Sequence, residues 1–267
     1  MWPFRARSIL EADEQEWQVD TWTWLLEEKG GIADLARAQL VLPTPEFFPR
    51  TELTGHARVA FVFDRIKDLA GLAEWPCNLI AQPDRGGLAV NAVTAMKVRR
   101  GAPAGTYLRQ GNAAEISYDP KLIADPWALI ATLAHELSHY FLDDYRKMPP
   151  GGAEGFEPAT DLGVAYLGFG LFAANSAFRF HQTQDFQSQG WATSRLGYLK
   201  EREWVFALAV FLALRGIDPA VAATHLKPHL ASQLKRTIRY LKANPSIVAQ
   251  IAAAGQPHEA PNGSDGQ

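Results

Sequence analysis

Residues 125–142 constrain the fold more than any other part of the sequence. Asp125 is a typical N-cap residue, and Pro126 stands at the first helical position, where proline is tolerated. Apolar side chains then recur at helical spacing, at Ile130, Leu133, Ala134, Leu137 and Phe141. The sequence therefore predicts a helix from Asp125 to about Leu142 that buries one of its sides in a core.

Two histidines and a glutamate form an H-E-x-x-H pattern within this helix. Residues four apart lie on one helix face, so His135 and His139 can present two imidazole nitrogens to one metal ion. Glu136 lies about 100° further round the helix, where its carboxylate can take a proton from a metal-bound water. The competing interpretation is a solvated polar face that matches the pattern by chance.

A catalytic zinc ion needs a third protein ligand if one position is to stay open for water. The elongated three-histidine pattern is excluded, because Leu142 and Tyr145 stand where it requires glycine and histidine. Glu157 follows His139 by 18 residues, at the predicted start of the next helix, and Asp161 follows four residues later. This spacing of motif, glutamate and aspartate resembles that of the gluzincin metallopeptidases.

The resemblance implies a zincin-like fold with one Zn²⁺ ion per chain. His135, His139 and Glu157 would hold the ion, and Asp161 would support a ligand histidine. More loosely, the stretches 161–175 and 196–199 resemble a family of uncharacterised bacterial proteins that carry the same motif. That second resemblance implies no substrate.

The roles of the acidic residues after the motif are open at this point. Pro158 makes Glu157 a predicted helix-capping residue, so Glu154 in the preceding loop competes with it as the third ligand. Asp161 belongs to a predicted buried helix, and a buried carboxylate needs a partner such as the second ring N–H of a ligand histidine. The alternative role for Asp161 is capping in the first turn of that helix.

A hydrogen-bond donor besides zinc is normally needed to stabilise a developing oxyanion. The downstream candidates are Tyr198, His225, His181 and Arg195, which the sequence does not rank. Residues 116–119, just before the motif helix, are either the edge strand along which an extended peptide would bind or an ordinary strand.

The pattern of the whole chain predicts an α+β protein that is mainly helical. A small sheet is expected next to the H-E-x-x-H helix, between residues 77 and 118, with strands at 88–93 and 115–118. The predicted helices are 9–42, broken at Gly30-Gly31, then 55–70, 125–142, 158–178, 201–215, 218–225 and 229–243.

The domain organisation follows from the same pattern. We expect an N-terminal helical region at 1–74, continuous with a zincin-like catalytic region at 75–250 that includes the C-terminal helices. Residues 253–267 are rich in glycine, proline, asparagine and serine, and they are predicted to be a disordered tail.

Composition excludes several classes of partner. The 26 Lys and Arg residues against 29 Asp and Glu residues provide no broad basic field, so no nucleic-acid partner is expected. A single cysteine excludes an internal disulfide framework. The most apolar stretches, 164–174 and 204–214, are shorter than the ~18 to 20 residues of a membrane span. With no signal-peptide pattern at its start, the chain is predicted to be cytoplasmic; its oligomeric state is not determined.

The sequence thus predicts a zinc-dependent hydrolase, in first place a metallopeptidase that acts on a peptide or protein substrate. Glu136 would be its general base. The alternative is a binding or regulatory protein in which the zinc site is structural or catalytically silent. A third, weaker interpretation is a helical scaffold without metal.

Overall fold

A computed structural model describes residues 7–83, 104–185 and 199–254, with the backbone alone described at 110 and at 178–185. The predicted strand at 88–93 and the candidates Arg195 and Tyr198 lie outside these residues, as does the side chain of His181. Residues 255–267 of the predicted tail also lie outside them, whereas Ala253 and Ala254 belong to the last described helix.

The described chain is an α+β structure that is mainly helical, which confirms the predicted class. Its helices are α1 (Ala12–Glu28), α2 (Gly31–Leu35), α3 (Gly55–Leu69), α4 (Pro126–Leu142), α5 (Phe156–Tyr166), α6 (Gly170–Asp185), α7 (Glu201–Arg215), α8 (Pro219–Ala223), α9 (Pro228–Ala243) and α10 (Pro245–Ala254). No helix in the described ranges is both long enough and apolar enough to cross a membrane.

A three-stranded sheet lies beside α4. Its strands are β1 (Cys77–Ala81), β2 (Gly105–Gln110) and β3 (Ala113–Tyr118), in the order β1-β3-β2. β3 pairs in parallel with β1 and antiparallel with β2, so both of its edges are occupied. The interpretation of residues 116–119 as a peptide-binding edge strand is therefore wrong, because β2 is the outer strand next to α4.

Helix α4 begins and ends where the sequence predicts. The Asp125 carboxylate accepts a hydrogen bond from the Ala128 N–H at 3.3 Å, and Pro126 is the first helical residue. The helix is buried on nearly every side, because α3, α5, α6 and the sheet surround it. His135 and Glu136 are only 6% and 5% exposed. This burial contradicts the interpretation of the motif as a solvated face.

The predicted helix at 158–178 is two helices. The chain leaves the helical path at Gly168, whose φ of +92° is unfavourable for any residue with a side chain. A Cβ at this glycine would also lie 2.0 Å from the Gln39 carbonyl oxygen. The Gly168 carbonyl accepts a hydrogen bond from the Val41 N–H at 3.0 Å. The break therefore provides space for the extended chain that follows α2. This chain is not helical, so the prediction that the helical region continues to residue 42 is wrong.

Helix α1 holds the loop that connects α4 to α5. The indole N–H of Trp17 donates to the Pro150 carbonyl at 3.1 Å, and that of Trp24 donates to the Lys147 carbonyl at 2.8 Å. The N-terminal helices also share one hydrophobic core with α4 to α7. The indoles of the half-buried Trp17 and the buried Trp24 therefore fix the segment that carries the chain from the motif helix to Glu157.

Candidate metal centre

Three side chains predicted as metal ligands converge where α4 meets α5. Glu157 Oε2 lies 3.4 Å from His135 Nε2 and 3.5 Å from His139 Nε2. The ligand atoms of the three residues all lie within 4.8 Å of one another. Ligands bound about 2.0 to 2.1 Å from a tetrahedral zinc ion are about 3.3 Å apart. The Glu157 oxygen thus lies from both imidazole nitrogens at the spacing of ligands that share one small cation.

Glu157 reaches the histidines because α5 begins earlier than predicted. Gly155 is the N-cap, so Glu157 is the second helical residue and Pro158 the third. Proline is accepted there, since the first N–H groups of a helix have no intrahelical acceptor. The prediction that Pro158 begins this helix is therefore wrong, and so is the capping role it implied for Glu157. Glu154 lies in the short 3₁₀ turn before α5, is exposed, and is not part of the cluster.

Electrostatics link Glu157 to both rings. Burial raises the pKa of Glu157, but its hydrogen bonds with His135 and His139 outweigh that effect and hold the pKa well below its usual range. The carboxylate therefore stays ionised. Its side chain is 49% exposed, so the cluster has one face open to solvent.

Asp161 binds the other side of the His135 ring. Its carboxylate is almost fully buried, and Oδ1 lies 2.8 Å from His135 Nδ1. Oδ2 accepts the Leu199 N–H at 2.8 Å, which holds the carboxylate in place. Burial lowers the pKa of His135, but the bonds to Asp161 and Glu157 outweigh it and raise the pKa to about 10. Nδ1–H thus faces Asp161, and Nε2 is directed at the cluster.

The ring of His139 is held by residues that sequence reasoning missed. Thr160 Oγ1 lies 3.3 Å from His139 Nδ1 and donates its own proton to the Phe156 carbonyl at 2.9 Å. The rings of Tyr107 and Phe156 are nearly parallel to the imidazole, each at a centroid distance of 6.1 Å. Thr160 directly precedes Asp161, so its position on the ligand helix was available as a signal. Tyr107 comes from β2, and no local signal marks it.

Glu136 lies beside the cluster in a pocket that also includes Gly105 and Thr132. Burial raises the pKa of its carboxyl, and the neighbouring His135 and His139 partly oppose this effect. Gly105 of β2 packs so closely that a Cβ there would lie 2.7 Å from Glu136 Oε1. The strand therefore confines the carboxylate, a contact that the sequence did not indicate.

The structure places the candidate His225 apart from this cluster. Its carbonyl accepts a hydrogen bond from Asn175 Nδ2 at 2.9 Å. The residue lines a second pocket together with Trp127 and Lys227, whereas His135 and Glu136 line the first. His225 is therefore not brought together with the predicted metal ligands.

Comparison with known proteins does not add to this geometry. A scan against protein-family models, a search of curated proteins and a search of solved structures each found no match. The function proposed below therefore depends on the arrangement of the side chains themselves.

Proposed function

We propose that this protein is a zinc-dependent hydrolase of the metallopeptidase type. The convergence of His135 Nε2, His139 Nε2 and Glu157 Oε2, with Glu136 beside them, carries the proposal. Two histidines and one glutamate are a ligand set of catalytic zinc sites, which keep a fourth position for water or substrate. A structural zinc site would need a fourth protein ligand, and the cluster found among the described residues has three.

The donor atoms fit a zinc ion. Two imidazole nitrogens and one carboxylate oxygen are ligands that zinc accepts, and the Asp161 and Thr160 contacts fix the orientation of both rings. When bound, the ion would polarise a substrate carbonyl and lower the pKa of a water molecule.

Glu136 is the general base in this proposal. Its carboxylate takes a proton from the attacking water and delivers it to the leaving amine nitrogen. Burial raises the pKa of the Glu136 carboxyl towards neutral pH, and a general base whose pKa is close to the working pH suits both proton transfers. From this arrangement of motif, third ligand and Asp161, we infer a gluzincin-like enzyme.

The outer edge of β2 favours a peptide as the substrate. The Asp119 N–H donates to the Ala104 carbonyl at 2.9 Å, and hydrogen-bonded pairs alternate along antiparallel strands. The backbone groups of Gly105, Tyr107 and Arg109 therefore point away from β3, and no strand among the described residues pairs with them. An extended peptide can add to this edge beside Glu136.

Metal analysis combined with a cleavage assay tests the proposal. The purified protein should contain about one zinc ion per chain, which His135→Ala or His139→Ala should remove. Glu136→Gln should retain zinc but lower the cleavage of a peptide library by about 10²-fold or more. Glu154→Gln, a matched change outside the cluster, should do neither. Full zinc retention in both histidine variants would exclude the metal site, and full activity of Glu136→Gln would exclude the general base.

A further inference from the structure

A small pocket opens next to Glu136, on the side of α4 that faces α6 and α7. Most of its wall consists of small or apolar side chains: Gly105 of β2, Ala131 and Thr132 of α4, Ala173 and Ala177 of α6, and Trp204 of α7. Among the described residues, the ionisable side chains that line it are Glu136, His135 and Asp161, which the metal centre already employs. What remains is an apolar recess beside the proposed general base.

The recess is narrow. Its cavity volume is about 20 Å³, which is of the order of one water molecule. A methyl or hydroxymethyl group is of similar size, whereas the side chain of leucine or phenylalanine is several times larger.

The walls leave little room for adjustment. Ala131, Ala177 and Trp204 are each less than 5% exposed, and they belong to three different helices that pack together in the core. Alanine has no side-chain rotamer through which it could move aside, and close-packed interiors resist a change of even one methylene group. Enlarging the recess would require the helices themselves to shift.

We propose that this recess is a substrate subsite that accepts glycine, alanine or serine and rejects large side chains at a position flanking the scissile bond. The inference rests on the proposed peptidase function. It assigns to the enzyme a class of substrate, peptides with a small residue beside the cleaved bond. Ala177 and Trp204 limit the size of that residue.

Two peptides that differ in one residue test the subsite. They are acetyl-Arg-Phe-X-Phe-Arg-amide with X as alanine or leucine, so that alanine is the single small residue. We expect zinc-loaded protein to cleave the alanine peptide next to X, with kcat/KM about tenfold or more above that of the leucine peptide. Mass spectrometry of the products locates the cleaved bond.

Three variants distinguish an effect of pocket size from a general loss of structure. Trp204→Phe enlarges the recess and should reduce the preference for alanine over leucine several-fold. Ala177→Val narrows it and should weaken cleavage of the alanine peptide about tenfold. Ala174→Val makes the same change at an equally buried site on α6 outside the recess, and it should leave the preference unchanged. Thermal unfolding reports whether each variant is folded, and Trp204→Phe remains decisive if a valine variant does not fold.

Calorimetric binding of the same peptides to zinc-loaded Glu136→Gln protein distinguishes the two proposals. If the alanine peptide binds about tenfold more tightly but neither peptide is cleaved by the parent protein, the hydrolase proposal fails and the subsite stands. Equal binding and equal cleavage of the two peptides overturn the subsite, and so does an alanine peptide that is neither bound nor cleaved.

Discussion

Replacing Gly105 with alanine tests how closely β2 packs against the proposed general base. The added Cβ would lie 2.7 Å from Glu136 Oε1, 2.8 Å from Glu136 Cγ and 2.8 Å from Thr132 Cγ2. Ordinary contacts of a Cβ begin at 3.4 Å, so the carboxylate or the strand must move by roughly 0.7 Å. Because the atoms nearest to the added Cβ belong to Glu136 and Thr132, we expect the substitution to disturb the base and spare the metal.

The expected effect follows from this displacement. Misplacing a reacting group by about 1 Å can cost about 10²-fold in rate. We therefore expect kcat to fall between about tenfold and 10²-fold, with the zinc content unchanged. If the strand moves instead of the carboxylate, the cost appears as a loss of about 1 to 3 kcal/mol in the free energy of unfolding.

Steady-state kinetics, zinc analysis and denaturant unfolding of the variant measure these quantities. Gly170→Ala is the matched control, because a Cβ there meets Ala165 at an ordinary 3.4 Å and should leave all three values nearly unchanged. A Gly105→Ala protein with full activity and full stability would refute the close contact. Loss of zinc in that variant would show that the strand supports the metal ligands and not the base.

Four further predictions concern the same region. Asp161→Asn should lower zinc affinity about 10- to 100-fold, Glu157→Ala should lower it further, and Glu154→Ala should leave it unchanged. Zinc titrations of the three variants rank these effects, and a dominant effect of Glu154→Ala would exclude Glu157 as a ligand. Zinc affinity should fall about tenfold per pH unit below about pH 10, because His135 has a raised pKa and must release a proton to bind metal; a pH-independent affinity in zinc titrations would contradict this. Without metal, the stability that His135 gains from Asp161 is fully present below about pH 6.5 and is lost as the pH rises through about 10; a free energy of unfolding of the metal-free protein that stays constant over this range in calorimetry would contradict this. Thr132→Val should raise the free energy of unfolding by about 1 kcal/mol, since the buried Thr132 hydroxyl has no hydrogen-bond partner among the described residues. A lower free energy of unfolding, measured by denaturant unfolding, would contradict this.

Local signals were sufficient for the motif helix. The N-cap at Asp125, the proline after it and the apolar spacing all act within a few residues, so they predicted the bounds of α4 correctly. The resemblance to gluzincins, based on the spacing of Glu157 and Asp161 from the motif, pointed to the residues that the structure brings to the two histidines, while Glu154 was left as the alternative to Glu157. Helix geometry by itself placed only His135, Glu136 and His139 together.

Features that depend on distant parts of the chain could not be predicted this way. The break at Gly168 exists because residues 39–41 pack there, and the pairing of β3 on both sides moved the open edge to β2. Gly105 and Tyr107 contact Glu136 and His139 only because the sheet folds against α4.

The sequence by itself therefore determined His135, Glu136 and His139 and the helix that presents them, and it left Glu157 and Glu154 as alternatives for the third ligand. Tertiary structure decided how deeply that helix is buried, which strand confines the base and how small the neighbouring recess is. The physical reason is that ligand spacing along a helix is set by backbone hydrogen bonds between near neighbours. The surroundings of a side chain are set instead by the packing of segments that lie far apart in the chain.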